Sequence, residues 1–278
     1  MRPRKGVALL MVLSTVALLA TLAAVSSSAA RRSADIAGAR RAGSVARSMA
    51  ESGIALAAAR IDNALRGAGT DSAARAEFLD GLDPSAGRRP LAADTLGDGV
   101  FAVTVVDVSA RLDVNNAGRE GWYLLLRQFT GDGDARATAE RIDAVVRGVN
   151  RPAQESPDEG GAARDSLVAS LLGRDIAVRQ RGTLQTLDDL LEIPGVDAAL
   201  MHRIAPLLTV DGNGYVNRRG ASPAVLAAAA GSLVDHPVRL LLVSRGWMRG
   251  HALTREIEAV YDVTGDELRL VRWRERDR

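Results

Sequence analysis

Nineteen consecutive positions, Val7 to Val25, read VALLMVLSTVALLATLAAV and carry no charge; only Ser14, Thr15 and Thr21 are polar. As a helix rising ~1.5 Å per residue, this run spans roughly 28 Å, close to the ~30 Å hydrocarbon layer of a bilayer. No proline occurs from Val7 to Asp83, and Ser26 to Arg66 is rich in Ala and Arg, so the helix is expected to continue. Along the continuation Val45 and Met49, then Ile54, Ala58, Ile61 and Leu65, recur at spacings of three and four, which places one apolar stripe on a long amphipathic helix.

The pattern then changes. Residues 67 to 99 read as loop, with Gly67, Gly69, Pro84, Pro90 and the turn Gly97-Asp98-Gly99. VFAVTVVDV, residues 100 to 108, is β-branched and largely alternating, as in a buried strand. Strands are expected again near the end: the apolar run Val238 to Val243, the alternating Ile257, Ala259, Tyr261 and Val263, and Glu267 to Arg274 after the turn Thr264-Gly265-Asp266. These predict an antiparallel sheet. Between its two parts, over residues 115 to 233, the pattern is helical, interrupted by a hydrophilic loop at 148 to 164. Within it Thr186, with Asp189 three residues on, is expected to cap a helix whose apolar face is Leu187, Leu190 and Leu191. Pro194-Gly195 turns the chain, and Asp197 caps a second helix carrying Leu200, Ile204, Leu207 and Leu208. The fold class is therefore α+β, with a helical insertion between strands.

Composition narrows the chemistry. The 278 residues are 47% hydrophobic, enough for a folded body beyond any anchor. Thirty-six basic residues nearly balance 34 acidic ones, and a net charge of +2 gives no case for nucleic acid. Without cysteine there are no disulfides, thiolate metal sites or cysteine nucleophiles. Trp122, Trp247 and Trp273 are isolated and expected to anchor packing, and His202, His236 and His251 lack metal-ligand spacing. No GxSxG, GxxxxGK or GxGxxG motif occurs, so no catalytic residue and no cofactor site is assigned. Asp132 with Asp134, and Asp211 with Asn213, are the best short oxygen clusters for calcium, but neither completes an EF-hand loop and both serve as plain turns. A helix-hairpin-helix suggests DNA binding, yet Asp188, Asp189, Glu192 and Asp197 surround this turn and would repel phosphate.

Arg2, Arg4 and Lys5 precede the apolar run, so a secretory signal peptide, with Ala29 and Ala30 near its cleavage point, is the rival reading. Positive-inside counting is indecisive, because Arg31, Arg32, Arg40, Arg41 and Arg47 follow the run. A short basic leader ending in Gly6, followed by an apolar helix that becomes amphipathic, resembles the start of type IV pilins and type II secretion pseudopilins. The resemblance implies cleavage after Gly6 by a prepilin peptidase and N-methylation of Val7. Position five of the implied mature chain is Met11, where most of the superfamily has Glu; the K-class minor pseudopilins (general secretion pathway protein K) share that departure. RLDVNNA at 111 to 117, TLDDLLEIPGV at 186 to 196 and VNRRGASPAVL at 216 to 226 resemble three segments of that class, in its order.

The resemblance implies a pilin-like antiparallel sheet and a SAM-like, helix-hairpin-helix insertion. It divides the chain into a leader (1–6), transmembrane helix (7–25), amphipathic continuation (26–66), first part of the body (67–114), helical insertion (115–233) and C-terminal strands (234–278). It implies a non-enzymatic tip subunit, single-pass in the inner membrane with its body in the periplasm. Its partners would be I-class and J-class minor pseudopilins, the major pseudopilin, the prepilin peptidase and the inner-membrane assembly platform. Calcium binding in the insertion of K-class relatives would fall near IDAVVRGVN, which keeps Asp143 but lacks their Trp and later acids. The alternatives are a signal-peptide-exported periplasmic enzyme and a membrane-tethered DNA-uptake module.

Overall fold

The computed structural model describes residues 5–82, 91–150, 184–229 and 231–277. Pro84, Pro90 and most of the expected loop at 148 to 164 lie outside them. One helix, α1 (Lys5–Gly67), runs for 63 residues, about 95 Å at the standard rise. Its N-terminal part is long and apolar enough to cross a membrane, with a mean hydropathy of 2.3 in its most apolar window. Its C-terminal half lies across a sheet of five antiparallel strands in the order β1-β2-β7-β8-β9. These are β1 (Ala92–Leu96), β2 (Gly99–Asp107), β7 (Arg239–Met248), β8 (Thr254–Thr264) and β9 (Glu267–Asp277).

The apolar stripe of α1 and one face of the sheet make the first core. Met49, Ile54, Ala57, Ile61 and Leu65 pack against Phe101, Val103, Val105, Leu240, Leu242, Ile257 and Ala259. Ala57, not Ala58, sits fully inside; Ala58 lies at the margin of the stripe. Helix and sheet backbones come close at two glycines. A β-carbon on Gly246 would lie 2.1 Å from the Ala46 carbonyl oxygen and 2.4 Å from the Ala50 nitrogen, and one on Gly53 would meet Ser244, Phe101 and Val103 within 2.9 Å.

The expected loop from 67 to 99 contains two elements. Asp71 caps α2 (Ser72–Asp80) by accepting from the amides of Ala73 and Ala74, and β1 adds an edge to β2 through the turn at Gly97. Only Ala92 of β1 is buried, so that strand carries no alternation to read. The strand expected at 100 to 108 runs from Gly99 to Asp107; Asp107 then caps a short 3-10 turn. The run at Val238 to Val243 continues as strand to Met248, through polar Ser244 and Arg245.

Although β2 and β7 are neighbours in the sheet, the chain makes a long excursion between them. The insertion contains α3 (Gly118–Leu126), α4 (Asp132–Asn150), α5 (Ala198–Ile204), α6 (Pro223–Ala228) and the two-residue strands β3 (Leu112–Asp113), β4 (Leu208–Thr209), β5 (Val216–Asn217) and β6 (Leu233–Val234). Strand pairs β3–β4 and β5–β6 are parallel. Residues 148 to 150, expected in a loop, close α4 instead. The insertion has its own core, centred on Trp122, Leu125, Leu126, Ile142, Leu190 and Ile204.

Gly246→Ala is expected to lower stability by about 1 to 3 kcal/mol, because its methyl group strikes helix backbone that cannot yield without lifting α1. Gly38→Ala, where an added β-carbon meets nothing within 4 Å, should leave stability unchanged or raise it by up to about 1 kcal/mol. Urea titration of the detergent-solubilised chain measures both.

Candidate assembly face

From Leu9 to Val25 the helix emerges from the body with every residue exposed. Gly6 and Val7 lie in its first turns, and Met11 is 68% exposed with no ionisable residue in the run around it. The polar residues do not interrupt the apolar surface. Ser14, Thr15 and Thr21 donate their hydroxyls to the carbonyls of Leu10, Met11 and Leu18, each at 2.8 Å. An exposed apolar surface of this length marks a contact with lipid or with other proteins.

Of the three sequence segments singled out in the insertion, two lie at its junction with the sheet and the third packs on α4. In RLDVNNA, buried Asp113 accepts from the Asn115 amide at 2.9 Å, while the Asn115 side chain pairs both ways with the Leu184 backbone, at 2.9 and 3.2 Å. In VNRRGASPAVL, buried Asn217 donates to Asp107 at 2.8 Å, tying the insertion to the end of β2. Ser222 caps α6, accepting from the Val225 amide, with Pro223 in the first turn, where its missing N–H costs nothing.

TLDDLLEIPGV forms the hairpin. Its first helix, Leu187–Glu192, is a 3-10 turn, so Leu190 is buried, Leu187 half-buried, and Leu191 swings out to 44% exposure. The expected three-leucine face thus loses Leu191, since a tighter helix rotates each residue further than an α-helix does. Asp189 accepts from the amides of Gln185 and Thr186 and from the Thr186 hydroxyl, at 2.7 to 2.9 Å. The Thr186 amide is the main cause that holds its carboxyl pKa below the ordinary value. Asp197 caps α5 through the Leu200 amide at 2.7 Å. Arg141 donates to the Pro194 carbonyl at 3.0 Å, and Gly195, at φ +98°, lies against Thr138 and Arg141. The hairpin turn is thereby packed on α4 on one side, while Pro194 and Gly195 themselves remain exposed.

Charge fixes the insertion against β9 on the sheet face away from α1. Asp211 accepts ion pairs from Arg272 and Arg274, and Arg274 also reaches Glu258 at 2.8 Å. Arg239 pairs with both oxygens of Asp262 and donates to the carbonyls of Asp211 and Gly212. Burial lowers the pKa of Arg272, with Asp211 acting the other way. The Asp211 carboxylate proposed for calcium is thus engaged by two guanidinium groups, and Asn213 accepts from the Tyr215 amide. Asp132 accepts from the Tyr123 hydroxyl at 2.6 Å, with Asp134 in the same first turn of α4, and Asp143 pairs with Arg147. Among the described residues, no group of three or more His, Asp or Glu is placed to hold a metal ion. Trp122 is a buried anchor as expected, but Trp273 is 42% exposed, on the sheet face that it shares with Ala259.

A long apolar N-terminal helix laid on an antiparallel sheet, with a helical excursion between strands, is a pilin-like α+β fold. The same fold is found in a chain of the GspK-GspI-GspJ complex from the type 2 secretion system of enterotoxigenic Escherichia coli, whose crystal structure aligns with a TM-score of 0.54. The alignment covers 82% of this chain and 94% of that one at 14% identity, so the likeness is one of fold. No protein-family model and no curated protein matches the sequence.

Asp189→Ala is expected to cost about 1 kcal/mol at neutral pH, as for loss of a helix cap. Because the folded pKa is depressed, the contribution is complete above the ordinary carboxylate range and fades as pH falls through the folded value. Thermal melts of the two proteins should therefore differ at pH 7 and converge in acid.

Proposed function

We propose that this chain is a minor pseudopilin of a type II secretion system, of the K class, placed at the pseudopilus tip where it initiates or caps assembly. The observation that carries this reading is the extent of the fold likeness: 94% of a chain from the GspK-GspI-GspJ complex aligns with it. The GspK-GspI-GspJ complex joins three subunits, and I-class and J-class minor pseudopilins are the partners we assign here. The major pseudopilin, the prepilin peptidase and the inner-membrane assembly platform complete the set.

In this reading residues 1–6 are a leader removed after Gly6, and Val7 becomes the methylated N-terminus. Val7 to Val25 lies in the inner membrane and the body in the periplasm. The protein is a substrate of the peptidase and not itself an enzyme. A carboxylate within the bilayer costs ~2.5 to 3.5 kcal/mol on insertion scales, and pairing with a neighbour's N-terminal ammonium offsets it. Met11 has no charge to offset and so makes no such demand on a neighbouring subunit. A subunit of this kind starts a filament more readily than it extends one. The insertion, built on its own core, widens the body in a way that suits an end position.

Mass spectrometry of the mature protein tests the processing step: the expected N-terminal peptide starts at methylated Val7, whereas a start near Arg31 means an ordinary signal peptide and overturns the reading. Met11→Glu should let additional copies enter the filament, raising the ratio of this chain to the major subunit; an unchanged ratio counts against the role given to Met11.

A further inference from the structure

We infer that Arg31 and Arg32 bind the phosphodiester of an anionic phospholipid where α1 leaves the bilayer, and so hold the processed helix at a fixed depth. The inference rests on the membrane placement of the pseudopilin reading. The apolar run ends at Val25, and the two arginines follow six and seven residues later, roughly 9 to 10.5 Å along an unbroken helix. Side chains on a helix lean toward its N-terminus, here toward the membrane, which brings both guanidinium groups lower than their backbone. The headgroup layer occupies ~5 to 8 Å on each side of the hydrocarbon, so the two groups lie within it.

The protein supplies no anion of its own at this level. Arg31 and Arg32 are exposed and have no ion-pair partner among the described residues. The nearest acid, Asp35, pairs with neither. The body stands further up: the first buried residue among the described part of α1 is Ala42, ten residues past Arg32. A guanidinium fork donates to two phosphate oxygens at once, which suits it to a phosphodiester. Below Arg32, Val25 and Leu18 follow at seven-residue steps on nearly the same side of the helix, 64% and 69% exposed. A phospholipid can therefore place its headgroup on Arg32 and its acyl chain along Val25 and Leu18. Dissolved phosphate offers the same oxygens without the chain.

Processing gives this contact its consequence. Removal of residues 1–6 takes Arg2, Arg4 and Lys5 from the cytoplasmic end of the helix. On the periplasmic side, residues 26 to 47 keep five arginines against one acid, although the positive-inside bias disfavours arginine there. Anionic headgroups attract juxtamembrane arginine and offset that bias. Once the leader is gone, the arginine pair is what resists sliding of the helix along the membrane normal. Arg40 is too high to share in this: it lies roughly 22 Å past Val25, and charges are screened beyond ~8 Å at physiological ionic strength. Arg41 reaches Asp98 instead, at 3.5 Å.

The test is native mass spectrometry of the full chain, produced with the prepilin peptidase and released from nanodiscs of equal palmitoyl-oleoyl phosphatidylglycerol and phosphatidylcholine. The expected ions retain phosphatidylglycerol at least threefold over phosphatidylcholine. The double variant Arg31→Gln with Arg32→Gln should bring the ratio close to parity, while Arg40→Gln leaves it unchanged. Equal retention of the two lipids, a preference that survives the double variant, the same loss in Arg40→Gln, displacement of the lipid by millimolar inorganic phosphate, or dimers of the chain in place of lipid adducts would each overturn the inference. The mass of the same ions separates the two levels. A chain beginning at methylated Val7 without the lipid preference removes the headgroup contact alone. An unprocessed chain that keeps the preference removes the processing step and leaves the contact; a chain beginning near Arg31 removes both.

Discussion

The space between the Ala46 carbonyl and the backbone of residue 246 is too small for any side chain, and the position of α1 on the sheet follows from that contact. With Gly53 on the helix and Gly246 on β7 both bare, the two backbones approach until Met49, Ile54, Ile61 and Leu65 reach into the rows formed by Phe101, Val103, Leu242 and Ile257. Close packing of this kind resists both added and removed volume. A long helix that would otherwise pivot is thereby held at one angle, and the direction in which its apolar half leaves the body is set by the contact in its other half.

The insertion is joined to this unit in a different way. Its core does not merge with the first; the junction is made by Asp211 between Arg272 and Arg274, by Arg239 with Asp262, and by Asn217 with Asp107. Such contacts specify position because each demands its partner's geometry, but removing one partner strands a charge in a poorly hydrated place. The body is therefore two packed cores with a polar joint, and the arginines of β9 belong to the joint as much as to the strand.

Much of this was legible in the residues. The stripe on α1 and the strands 100 to 107 and 257 to 263 follow directly from periodicity, since burial on one face imposes it. The cap at Asp197 could be read from local spacing. What could not be read depended on partners distant in sequence. β1 buries one residue and owes its existence to β2; Leu191 is exposed because its helix is 3-10; Ser244 and Arg245 continue β7 because β2 and β8 flank it.

The hydroxyls of Ser14, Thr15 and Thr21 give the apolar run a further property. Each is spent on a carbonyl of its own helix, so from Leu9 to Val25 the surface offers a neighbour no hydrogen-bond donor and no charge. Helices that recognise one another inside an apolar medium commonly use such polar groups as address labels. This one carries none, and contact along it discriminates by shape alone. Any polar or charged discrimination is thereby left to the residues beyond Val25.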